Sequence, residues 1–387
     1  MKLSTRKLTA IAAFLVLSVV EANAQSAEPI NVVTTAVPFL RISPDARAGG
    51  MGDLSLATSA DANSQFYNLA KYPFAKSKGA ISATYTPWLK DLGLNDVYLA
   101  SLAGYYKLDE VQALSMSLRY FSLGNIQFTD NLGNDLNSFR PREIAIDAGY
   151  SRKLADNLSL GVALRYINSN LAGGQAVNGV SYKAGSAIAG DIGVFYTTAK
   201  EDGSGWNFGG ALTNLGSKIS YTDDATQKDF IPANFAVGTM YTKVFNEVNK
   251  LSFGLDVHKL MVPTPPALGD SAGLAEYRSK GVVGSWFSSF GDAPGGFEEE
   301  IKEFSFSIGS EFWYNDQFAF RAGYFYEDET KGNRKYFTVG AGIKYNIFGL
   351  NFSYLIPSGN GVNRNPLSNT LRFSLVFDFD GGENTSQ

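Results

Sequence analysis

From Gly79 onward, apolar and polar positions alternate in runs of roughly ten residues, each closed by a turn or a loop. Leu158, Leu160, Val162, Leu164 and Tyr166 share one parity, with Ser159, Gly161, Ala163 and Arg165 between them. Leu114, Met116, Leu118 and Tyr120 alternate with Ser115, Ser117 and Arg119, and Leu371, Phe373, Leu375, Phe377 and Phe379 with Arg372, Ser374 and Asp378. A period of two with one apolar face predicts half-buried strands. Fourteen such runs are present: 79–86, 96–107, 111–121, 142–153, 157–168, 185–198, 204–214, 233–243, 250–259, 304–313, 317–327, 336–346, 348–356 and 370–380.

The connections between these runs alternate in length. Those near 108–110, 154–156, 199–203, 244–249, 314–316 and 347 are short, whereas 87–95, 122–141, 169–184, 215–232, 260–303, 328–335 and 357–369 are long. An even strand count with short and long connections in turn predicts an all-β fold, a transmembrane antiparallel β-barrel of fourteen strands spanning 79–380. Short turns then lie in the periplasm, long loops outside the cell, and both termini, including a tail at 381–387, on the periplasmic side. The apolar parity faces lipid, because closure satisfies every backbone donor and acceptor without water. Aromatics at the run ends (Tyr105, Tyr120, Tyr150, Tyr166, Tyr196, Tyr241, Tyr324, Tyr326, Tyr345 and Tyr354) suit an interfacial girdle. A secreted sandwich has shorter strands and connections that do not sort into two length classes.

Ahead of the barrel, residues 1–24 read as a signal peptide. Lys2, Arg6 and Lys7 precede the apolar stretch from Leu8 to Val20, and Ala22-Asn23-Ala24 offers a cleavage site. Residues 25–78 lack a strand period, yet Phe39, Leu40, Ile42, Met51, Leu54, Phe66 and Tyr67 need burial, which predicts a compact plug in the periplasmic mouth. The 387 residues include no Cys and a single His, His258, and 18% are charged. Thiolate and imidazole metal sites are thereby excluded and a Ser-His-Asp triad is disfavoured, so neither a cofactor nor a metal nor catalysis is expected. A net charge of −4 gives no electrostatic attraction to nucleic acid. Arg119, Arg165, Arg321 and Arg372 fall on the lumen parity, with Asp147, Asp191, Asp256 and Glu311 as partners, and Lys344 and His258 share that face. They are read as a charge network bracing the wall, with His258 a wetted lumen residue.

Two stretches carry a resemblance. One runs Pro44-Asp45-Ala46-Arg47-Ala48-Gly49-Gly50-Met51-Gly52-Asp53, followed by Ala57 to Ala62 and by Phe66-Tyr67-Asn68-Leu69-Ala70-Lys71. The other runs from Trp286 through Phe287, Phe290, Gly291-Asp292-Ala293-Pro294-Gly295-Gly296 and Phe297 to Glu298-Glu299-Glu300. Together they resemble the PorV (LptO) family, outer-membrane barrels of the type IX secretion system of Bacteroidetes. Asn68-Leu69-Ala70 is also similar to the Asn-Pro-Ala of the wider FadL-like barrels, with Leu69 in place of Pro.

The resemblance implies a shuttle. Such proteins bind the C-terminal signal domain of cargo, take it from the translocon barrel and deliver it to a surface attachment complex containing the sortase-like PorU, in contact with outer-membrane lipid and lipopolysaccharide. It points to Asp45, Arg47, Gly49, Gly50, Met51, Gly52, Asp53 and Asn68 as a plug motif. In the long loop, Met261, Val262, Trp286, Phe287, Phe290 and Phe297 are the candidate cargo- or partner-binding residues, since apolar side chains outside the cell must pack on the barrel or on a partner. Proline and glycine in that loop argue against regular structure, and the acidic triplet reads as a solvated face rather than a calcium site. The alternative is a FadL-like passive transporter of hydrophobic molecules, with Gly190 or Gly209-Gly210 as a strand kink. The LptO name suggests lipopolysaccharide deacylation, for which no nucleophile–base pair stands out.

Overall fold

A computed structural model describes residues 31–90, 93–129, 133, 135–174, 176–177, 180–224, 226–267, 269–358 and 369–379. The signal-peptide and carboxyl-tail readings lie outside these residues. Fourteen antiparallel strands close into a barrel, each paired with its sequence neighbours and the last with the first. The strands are Gly79–Pro87, Val97–Lys107, Gln112–Leu123, Arg142–Ala155, Leu158–Asn170, Gly185–Thr197 and Gly205–Gly216. The second half comprises Asn234–Val244, Asn249–Leu260, Phe304–Tyr314, Phe318–Tyr326, Lys335–Tyr345, Phe348–Pro357 and Leu371–Asp378. Each expected run lies on its observed strand within about two residues, because the alternation extends as far as the ladder. The seam joins Ala80 to Asp378 and Tyr85 to Phe373.

Side-chain parity follows the pleat. Leu160, Val162, Leu164 and Tyr166 are exposed on the outer face, Leu164 to 71%, while Ser159, Ala163, Arg165 and Ile167 are buried. This is the lipid-facing band of an outer-membrane barrel. Tyr105 leaves the expected girdle: it points inward, 5% exposed, and stacks on Tyr72 at 4.6 Å, while Tyr106 takes the outer position. Two tyrosines in a row leave the parity to be set by the strand as a whole.

The lumen is filled by residues 31–78, and they run its full length. Val37, Phe39, Leu40 and Ile42 pack with Val97, Leu99 and Phe121 near the long loops. Met51, Leu54 and Ala57 meet Met240 at mid-height, and Leu69, Tyr72 and Ala75 pack on Ala80 and Tyr105 beside the short turns. The described chain therefore begins at the long-loop end, where the Asn31 N–H donates to the Thr330 carbonyl at 3.1 Å, and descends to enter the first strand at the other end. The expectation of a plug confined to the periplasmic mouth is corrected. The apolar residues of the segment are too many for one mouth, and their burial requires the whole lumen.

Wall glycines set how closely the plug sits. A Cβ at Gly323 would lie 2.1 Å from the Met51 carbonyl carbon and 2.3 Å from the Gly52 nitrogen. Gly323→Ala is expected to loosen the plug by ~1–3 kcal/mol, the usual cost of overpacking. Protease access to plug bonds in detergent-solubilised protein should rise while the barrel keeps its heat-modifiable mobility; unchanged access would show that this contact is not limiting.

Candidate functional site

The plug is fixed by short helical turns whose caps the sequence supplies. Asp45 caps the turn Ala46–Gly49 by accepting from the Arg47 and Ala48 N–H groups at 2.8 and 3.0 Å, and its other oxygen accepts from the Tyr67 hydroxyl at 2.7 Å. Asn68 caps the turn Leu69–Phe74 by accepting from the Ala70 N–H, while its amide donates to the carbonyls of Leu56 and Val194. Leu69 takes the first helical position without disturbing the cap. Gly52 has φ 70, the left-handed region, and a Cβ there would meet the Tyr324 backbone at 2.7 Å. Gly49 lies beneath the Arg372 guanidinium, Gly50 against Gly340, and Met51 is fully buried.

Arg47 is the centre of the plug. Its fork donates to both Glu311 oxygens at 2.9 and 2.8 Å, and its remaining nitrogen contacts are Asp61 at 2.7 Å and Ser59. Burial alone would lower its pKa, but Glu311 and Asp61 outweigh that and raise it, so the guanidinium stays charged. Lys71, buried in the same segment, donates to the Ser55 carbonyl and the Thr58 hydroxyl, and burial pulls its pKa down to about 8 against the opposing pull of Asp61.

All eight lumen charges read from the sequence are buried inside the barrel, and they divide between two tasks. Arg165 pairs with Asp147 and Asp191 and joins adjacent wall strands. Arg119, Asp256, Glu311 and Arg372 reach the plug, while Arg321 braces Glu311 from the wall. Glu311 is shared between wall Arg321 and Arg47, and Asp256 accepts from the Ser55 and Leu56 N–H groups at 2.7 and 2.9 Å. Arg119 donates to the Leu40 carbonyl at 2.9 Å, and Arg372 lies 3.7 Å from Asp53, whose other oxygen accepts from Tyr336. Lys344 sits at the short-turn end, half exposed, and pairs with Asp378.

Between plug and wall, a cavity of ≈ 140 Å³ is lined by Leu40, Ile42, Leu56, Phe66 and Phe325 together with Arg119, His258 and Glu327. Glu327 accepts from Arg41 and Arg334; burial favours its neutral form, but these two cations hold its pKa below the ordinary value.

The loop 261–303 folds over this end as a cap with three helices, Ser271–Ser279, Val282–Ser288 and Phe297–Lys302, which corrects the expectation of little regular structure. The prolines lie outside the helices and most of the glycines near their ends, and Asp270 caps the first helix. Val262 is fully buried with Val33, Phe230 and Tyr277, and Met261 is 5% exposed, so these two hold the loop down over the lumen and leave no surface for a partner. Trp286 is half buried. Phe290 packs on Phe235, an outward-facing wall residue, while Phe287 and Phe297 are 76% and 78% exposed.

The acidic triplet is not a solvated face. Glu300 pairs with Lys259 at 2.7 Å and Glu299 with Lys331 at 2.6 Å, leaving only Glu298 exposed. Lys259 also meets Glu303 at 2.6 Å, and Lys331 reaches Glu303 at 3.0 Å. Lys259 stands on the lipid-facing parity yet has no exposed surface, since the cap covers it. Sequence reading missed Lys259, Glu303 and Lys331. The available signal was a lysine on an apolar parity, a position that needs a buried partner. No cluster of metal-ligating side chains occurs among the described residues.

A family model described as type IX secretion system protein PorV matches residues 24–267. Among curated proteins, no sequence match was found. The toluene transporter TbuX of Ralstonia pickettii superposes with a TM-score of 0.52 at 13% identity, over 86% of this chain and 96% of that one. The toluene transporter TodX of Pseudomonas putida gives 0.52 at 12% identity, over 90% and 98%. At such identities the likeness shows a shared barrel fold.

Proposed function

The chain belongs to the PorV family of type IX secretion system proteins, and from that premise we propose that this outer-membrane barrel binds the C-terminal signal domain of cargo, receives it from the translocon barrel and hands it to the surface attachment complex containing the sortase-like PorU. In this reading the long loops face outwards and the cap is the docking element. The observation that carries it is the cap itself: a helical loop anchored by two buried lysines that displays Phe287 and Phe297 to the exterior. Exposed aromatics on a pre-formed surface lose little conformational entropy on binding, which is what an interface anchor requires. Met261 and Val262 act beneath it as supports. The filled lumen fits a carrier better than an open pore. Outer-membrane lipid and lipopolysaccharide surround the barrel in this reading, and no catalytic step is assigned to it.

Deletion of 280–300, or the milder pair Phe287→Ser and Phe297→Ser, should stop cargo from being released at the cell surface while the barrel remains inserted and heat-modifiable. Normal surface delivery in the double variant would remove the cap from this role.

One observation favours passive transport as a second reading. The strand pair Gly185–Thr197 and Gly205–Gly216 is irregular between Gly190 and Ile192, next to a partly apolar cavity. Asp191 fills that irregularity, accepting from the Asn214 N–H at 2.7 Å and pairing with Arg165, so the wall is closed there. Gly209 and Gly210 pair regularly with Gly238 and Val237. Saturable binding of toluene by the purified barrel would support this reading; absence of binding together with copurification of a translocon would end it.

A further inference from the structure

We infer that residues 31–36 are a strap that ties the cap to the plug, so that the position of one sets the position of the other. The inference rests on the reading of the cap as a docking element. The strap is held at three residues, which between them touch three long loops. Asn31 donates through its backbone to the Thr330 carbonyl at 3.1 Å and through its amide to Glu299 at 3.4 Å, on the third cap helix. Val33 is buried with Val262 and Tyr277 of the cap and with Phe230. The Ala36 N–H donates to the Phe230 carbonyl at 2.9 Å.

Immediately after these contacts the chain turns sharply. Val37 has φ 48 and ψ 49, a left-handed conformation that a β-branched side chain disfavours, and it is held there only because both flanks are docked. Beyond it, Pro38–Arg41 begins the plug, and Arg41 pairs with Glu327 at 3.0 Å, at the root of the loop that carries Thr330 and Lys331. The plug, the strap and the cap are thus one connected set with a strained joint between plug and strap. A shift of the plug pulls on Glu299 and Val262, and undocking of the strap releases strain at Val37 while it removes the cover from the cap's apolar underside.

The test uses the absence of native cysteine. In full-length protein, Ser289→Cys places a thiol at a cap position with no exposed surface, at the end of a helix other than those the strap touches. Adding Val33→Asp should raise its labelling rate about tenfold, as a loss of ~1.4 kcal/mol of local closure would. Asn31→Ala, which alters only the polar contacts, should raise it by a smaller factor and serves if Val33→Asp fails to fold. Heat-modifiable mobility confirms an intact barrel in each case. Unchanged labelling in folded Val33→Asp, or in Asn31→Ala if the former does not fold, overturns the strap. Binding of a purified cargo C-terminal signal domain is measured on the same variants. If labelling rises and that affinity stays constant, the strap stands and the docking role of the cap fails.

Discussion

Arg47→Met is expected to unseat the plug and open the barrel to ions. The side chain makes the bidentate contact to Glu311 and the pair with Asp61, at about 10% side-chain exposure. Its loss leaves Glu311 with Arg321 alone and removes the only ion pair of Asp61 among the described residues. Breaking a buried pair from one side costs ~3–5 kcal/mol, because the partner keeps its desolvation penalty. That exceeds what the neighbouring neutral hydrogen bonds, at ~1 kcal/mol each, can restore. Purified parent protein should be electrically silent in a planar bilayer and the variant should conduct. Arg47→Lys keeps the charge but not the fork and should fall between them. A silent Arg47→Met barrel with parental protease resistance would show that the plug is held mainly by its apolar contacts.

Lys259→Met should leave the barrel intact and detach the cap. Lys259 has no exposed surface, and its ammonium is the point at which Glu300 and Glu303 converge from the cap on the outer wall. Removal strands the buried Glu300 without its cation, again at ~3–5 kcal/mol. The cheapest relief is local: the helix Phe297–Lys302 swings into water, where the carboxylate is solvated. Proteolysis within 280–303 should increase by orders of magnitude, while strand protection against hydrogen exchange stays parental. The double variant Lys259→Met, Glu300→Leu should recover most of the docking, since a matched apolar pair no longer carries a buried charge. If the single variant melts the whole barrel instead, the cap is part of the wall's cooperative unit.

These two residues also mark how far the sequence could be read. Strand positions and the inward charges Arg165, Asp147 and Glu311 were legible because the pleat forces a two-residue period, and lipid on one face makes every departure from that period visible. Arg47 was legible only through resemblance, since the plug has no period and its path is set by contacts such as Arg47 to Glu311, distant in sequence. Lys259 sits on the lipid parity and looks like an anomaly until the cap that covers it is seen. The cap was hidden for a related reason. Its three helices are short, the first only weakly amphipathic, and they are held by Lys259, Lys331 and the Val33 cluster rather than by local propensity.

The plug comes first in the chain, yet several of the groups that seat it come last. Ala46 donates to Ser374, Gly49 accommodates Arg372, and Gly52 donates to Thr338. Arg372 and Ser374 belong to the strand that closes the seam against the first strand. During biogenesis the amino-terminal segment therefore has no finished seat until the carboxyl-terminal strands arrive, and once the seam is sealed it is enclosed. Plug docking and seam closure are consequently a single late step dominated by contacts of very long sequence separation, the kind that forms slowly. An insertion machine acting on this chain must keep the seam open around a partly folded plug, and a weakened plug should first reveal itself as slow assembly.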